Sequence, residues 1–79
     1  MKINSMKDFC DKAYYIRWNF YQINKYDEVN KRIFYKAKWK KSIYDLQNLS
    51  YYEKNMIWDF LNGYCELDRI EEYVCKRSY

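Results

Sequence analysis

Histidine, proline and threonine are absent from this 79-residue chain, and glycine occurs once, at position 63. Without histidine, the commonest general base and metal ligand near neutral pH is missing. A nucleophile would have to be Cys or Ser activated by Lys, and no such spacing is present. No glycine-rich loop exists to cradle phosphate. Three cysteines, Cys10, Cys65 and Cys75, form an odd set without C-x-x-C spacing. They indicate neither a disulfide framework nor a zinc site, and read better as small buried hydrophobes. The acids Asp8 and Asp11, and the group Asp68, Glu71 and Glu72, read as solvated side chains rather than cation ligands. No apolar run approaches the roughly eighteen residues of a membrane span. The opening MKINSMKDFC lacks the apolar core of a signal peptide. The expectation is a non-catalytic protein of the reduced cytoplasm, with no cofactor, no metal and no membrane partner.

Aromatic residues are abundant: 23% of the chain, with eleven tyrosines. A chain this short only just repays its conformational entropy from one core, so large aromatic side chains explain how it folds without cross-links. Eleven tyrosines exceed what one small core can hide, and those left outside favour binding. Phe, Tyr, Met, Ile, Asn and Lys make up 43 of the 79 residues. Most of these have AT-rich codons, which points to an AT-rich genome such as a low-GC bacterium, its phages or its plasmids. Charge divides the single domain, residues 1–79, into halves. Residues 1–41 hold eleven Lys or Arg against four acids, net +7; residues 42–79 hold four against seven, net −3.

Four segments carry helical signals. Ser5 and Asp8 stand at capping-box spacing, and Phe9, Ala13, Ile16, Phe20 and Ile23 recur within a sector of about 80°. That helix should end near Asn24, with Tyr14, Trp18 and Tyr21 forming an aromatic stripe beside its core face. Ser50 and Glu53 form a second capping box before Met56, Ile57, Phe60 and Leu61. Gly63 stands where a helix terminus needs a left-handed residue. A last short helix should turn Leu67, Ile70 and Val74 inward, with Asp68, Glu71 and Glu72 outward. The stretch from 27 to 47 admits two readings. As a helix it puts Val29, Ile33, Ala37 and Tyr44 on one stripe and Tyr35, Trp39 and Leu46 on another. As a strand it alternates Ile33, Tyr35, Ala37 and Trp39 against Phe34, Lys36, Lys38 and Lys40, and Tyr14 to Phe20 could alternate too. Lys and Ala favour the helix, Asp27–Glu28 suits its start, and hairpin turn chemistry is lacking. The expected fold is an all-α bundle of about four helices. The alternative is α+β, with a β-hairpin around residues 14–41 packed on helices.

The most electropositive stretch is KRIFYKAKWKK, residues 31–41, with six basic residues and no acid. Lys31, Arg32, Lys36, Lys38, Lys40 and Lys41 could neutralise phosphates while Tyr35 and Trp39 stack on unpaired bases. Arg17 and Lys25 could extend the patch. Equally, Arg17, Trp18, Tyr21, Tyr35 and Trp39 have the composition of a protein interface hot spot, with Trp39 as anchor. The terminal helix–Gly–helix unit resembles a helix-turn-helix in spacing, but Glu66, Asp68, Glu71 and Glu72 would repel phosphate from its second helix. The leading expectation is a small binding protein of a phage or other mobile element. It would inhibit or modulate a host protein, with nucleic-acid-handling or CRISPR-type defence machinery among the candidates. Direct DNA or RNA binding is the alternative, and self-association through opposite charges a third course, so monomer and homodimer both stand.

Overall fold

The computed structural model describes residues 1–77, and among them there are four α-helices and no strand. Helix α1 spans Met6–Tyr21 and runs into a 3₁₀ turn, Gln22–Lys25; α2 spans Val29–Tyr44, α3 Tyr51–Leu61 and α4 Leu67–Arg77. The all-helical reading holds and the hairpin does not form. The segment between α1 and α2 has no glycine to turn a tight hairpin. Instead Arg32 donates its backbone N–H to Glu28 (3.3 Å), opening a helix that runs through the Lys- and Ala-rich stretch.

Local chemistry sets the helix ends. The Ser5 hydroxyl accepts the Asp8 N–H (3.0 Å), and the Asp8 carboxylate accepts the N–H of Asn4 (3.0 Å), one residue further back than a standard capping box. At α3 the box is complete: Ser50 Oγ accepts from Glu53 N (3.2 Å) and Glu53 Oε1 accepts from Ser50 N (2.9 Å). Gly63 (φ 81°) closes α3, with Gly63 N–H bonded to Phe60 O (3.1 Å) and Tyr64 N–H to Asp59 O (2.8 Å). That pair of bonds is a Schellman motif, and the left-handed backbone it requires is the one glycine adopts without a Cβ penalty. By contrast, α2 begins at Glu28 with no side-chain cap.

The core is built on α1, whose stripe Met6, Phe9, Ala13, Ile16 and Phe20 is buried along its whole length and continues in Ile23. Phe9 meets Phe60 edge-on at 5.8 Å. Phe20 makes T-shaped contacts with Trp39 (5.6 Å) and Trp58 (5.7 Å), which joins α1, α2 and α3 at one aromatic centre. Ile43, Leu46 and Leu49 seal the join between α2 and α3, and Leu67 and Ile70 close α4 onto the core. The molecule is elongated, 46 × 23 × 17 Å.

Candidate functional site

Helix α2 presents two faces. At 100° per residue, Tyr35, Trp39 and Ile43 lie about 120° around the axis from Val29, Ile33 and Ala37. The first set packs inward: Ile43 is buried, while Tyr35 and Trp39 are half-buried against the core. Tyr35 also stacks face to face on Tyr26 (5.0 Å, 10°). The second set faces outward. Val29 is 58%, Ile33 61% and Phe34 56% exposed, and Ala37 is exposed beside them. Ile43 is the one fully buried residue of the sixteen. Both stripes are visible in the sequence, which leaves open which of them the core takes. In the structure the core takes the stripe whose Trp39 meets Phe20 edge-on at 5.6 Å.

The basic residues of 31–41 all have partners within the chain. Lys31 pairs with Glu28 (3.9 Å) and Lys41 with Asp45 (3.0 Å). Arg32 donates to the Tyr26 carbonyl (2.8 Å). Lys36 lies over Phe20 (6.0 Å), Lys38 over Phe34 (5.3 Å) and Tyr35 (5.9 Å), and Lys40 over Trp58 (5.9 Å) and Tyr44 (6.0 Å). Exposed pairs and cation–π contacts of this kind are each worth about 1 kcal/mol or less. The ring contacts leave the charges of Lys36, Lys38 and Lys40 uncompensated, whereas Lys31 and Lys41 each share theirs with a carboxylate.

On α1, Arg17 is sandwiched between the rings of Tyr21 and Phe60, 5.0 Å from each, and donates Nε–H to the Tyr21 hydroxyl (2.6 Å). Trp18 (62% exposed) and Tyr14 (72%) stand beside it in solvent. The aromatics expected to form one binding set are therefore divided. Trp18 and Tyr14 stand in solvent, whereas Trp39 and Tyr35 hold α2 to the core and keep only part of their rings exposed. Trp58, which falls off the apolar stripe of its own helix, is half-buried on Phe20.

At the foot of α2, Lys54 donates to the Tyr44 carbonyl (2.9 Å) and the Tyr44 hydroxyl bonds Asn55. Burial pushes the Tyr44 hydroxyl above its ordinary pKa, with Tyr51 and Asp59 adding to the shift. Burial also raises the thiols of Cys10 and Cys65, the first further raised by Glu71, Asp11 and Cys75. A thiol held protonated is a poor nucleophile and a poor metal ligand. Cys10 and Cys65 are half-buried as expected of small hydrophobes, while Cys75 is exposed. Among the described residues no group of three or more His, Cys, Asp or Glu could hold a metal ion, and no helix is long and apolar enough to cross a membrane. No family model, no curated protein and no solved structure matches this chain.

Proposed function

We propose that this is a non-catalytic binding protein that docks on an acidic, apolar-centred surface of a larger protein through the outer face of α2. One observation carries the reading: Val29, Ile33 and Phe34 stand in solvent on a helix that buries a single residue. A chain near the lower size limit for folding alone has little burial to spare, and a partner restores what this face forgoes. Lys31, Lys40 and Lys41 flank the apolar centre, so an acidic partner meets complementary charge and is steered toward it. Occupying such a surface is how a protein of this size would block or redirect its target. The AT-rich codon composition supports an origin in a phage or other mobile element.

Nucleic acid fits this face less well. Base stacking needs open aromatic faces, and on α2 Phe34 alone is an exposed ring, since Tyr35 is stacked on Tyr26 and Trp39 is partly covered by Phe20. Valine, isoleucine and phenylalanine at the centre of the patch give phosphates nothing. Self-association is also disfavoured. Two α2 faces would set like charges against each other, and α4 offers Asp68, Glu71, Glu72 and Cys75 outward, with no large apolar side chain to cover Ile33 and Phe34.

The test is affinity capture from the native host by the wild-type protein and by an Ile33→Glu, Phe34→Ser variant of unchanged circular dichroism. The wild type should retain an acidic protein that the variant loses, and raised salt should weaken the capture. Equal capture by both forms would overturn the reading. So would oligonucleotide binding whose affinity falls with a log–log salt slope of about −4, the signature of roughly five phosphate contacts.

A further inference from the structure

The opposite flank of α2 carries a second feature. Tyr35, Lys38, Trp39 and Ser42 span a sector of α2 centred roughly 170° around the helix from the middle of the Val29, Ile33 and Ala37 stripe. They line one wall of a groove whose other walls are α1 and the segment before it. Two open cavities of about 650 and 300 Å³ meet there, sharing Met1 and Trp39. The larger volume lies within the range of ligand-binding clefts.

Its floor is apolar, made by Ile16, Tyr15, Met1 and the exposed part of Trp39. Its rim holds Lys2, Lys12 and Lys38, and among the described residues no Asp or Glu lines either cavity. Two of these ammonium groups are positioned by the fold: Lys12 by its pair with Asp8 (3.1 Å), Lys38 by the rings of Phe34 and Tyr35. Asn19 and Gln22 also line the groove. Each donates its side-chain N–H to the carbonyl four residues back, Tyr15 O (3.0 Å) and Trp18 O (3.2 Å). Their amide oxygens are left to accept from a guest.

We infer that this groove binds an acidic peptide segment in which one apolar side chain sits on Trp39 and flanking carboxylates meet Lys2, Lys12 and Lys38. The chemistry of the walls selects that occupant. The apolar floor takes an aliphatic or aromatic side chain, the cationic rim takes carboxylates, and the amide oxygens take peptide N–H groups. This is an extended groove reading both a side-chain anchor and its flanking charge.

Selection from an unbiased displayed peptide library on the immobilised protein tests it. Enriched peptides should carry at least two Asp or Glu around one large apolar residue. A synthetic copy should shift the NMR signals of the Trp39 indole and the Ile16 methyl groups and leave those of Ile33 in place. The Lys12→Glu, Lys38→Glu variant should weaken it about tenfold or more, while a Val29→Ser, Ile33→Glu variant, which leaves the Phe34 ring beside Lys38 in place, binds it unchanged. Enrichment of basic peptides, shifts confined to Ile33 and Phe34, or full affinity in the double lysine variant would overturn the inference. Because the outer face is altered in a separate variant, failure of the groove and failure of the α2 docking face are told apart.

Discussion

Helices α2 and α3 lie side by side and are used in opposite ways. Of the eleven residues of α3, Glu53, Met56, Ile57, Phe60 and Leu61 are buried; of the sixteen of α2, Ile43 alone is. Helix α3 is capped at both ends by its own sequence, whereas α2 starts without a side-chain cap and is attached by Tyr35, Trp39 and Ile43 along one edge. In α3 the apolar residues make the fold. In α2 they divide between a seam that holds the helix and an outer face that the fold does not need.

Substitutions can sharpen that contrast. The largest effect should come from Phe60→Ala in α3. The ring is fully buried against Phe9, and its loss should cost about 3–5 kcal/mol in urea unfolding, enough to leave so small a domain partly unfolded. Trp39→Ala should cost less, about 2 kcal/mol, because the ring is half-buried. It should also speed amide hydrogen exchange in α2 more than in α3 or α4, which marks Trp39 as a seam residue. Exchange that rises equally in all helices would show that α2 is no more weakly held than the rest. Ser50→Ala should cost about 1 kcal/mol through loss of the α3 cap, read as a lower unfolding midpoint.

The smallest effect is a pH dependence at the start of α1. The N–H of Asn4 and then the Lys12 ammonium hold the Asp8 carboxyl below its usual range. Its folded pKa is thus lower than its unfolded one. The contribution is present at neutral pH and is lost as pH falls through the acidic range toward that lowered value. NMR signals of the first turn of α1 should report fraying there, and Asp8→Asn should abolish the dependence. An identical acid transition in the Asp8→Asn variant would assign it to another carboxyl.

Most of the fold was legible because the helix signals are local. Ser5, Ser50 and Gly63 mark ends, and the stripes from Phe9 to Ile23 and from Met56 to Leu61 have a period that only a helix satisfies. The candidate site was legible only in part. Two apolar stripes on α2 compete for one core, and which of them wins depends on Phe20 and Trp58, residues on other helices that the pattern within α2 does not report. Trp39, expected as a partner's anchor, also holds its own helix to Phe20, a role that the pattern within α2 does not report. The cation–π contacts of Lys36 with Phe20 and of Lys40 with Trp58 are equally invisible in the sequence, because those rings lie on α1 and α3. The groove escaped notice for the same reason: Met1, Lys12 and Trp39 meet only in the folded chain.

The most direct test is the urea unfolding free energy of a Val29→Ser, Ile33→Ser, Phe34→Ser variant. If the outer face of α2 is a docking surface and not part of the core, stability should stay within about 1 kcal/mol of the wild type, as for exposed substitutions. A loss above about 3 kcal/mol, the scale of emptied core sites, would mean that these side chains hold the fold together and would contradict the account.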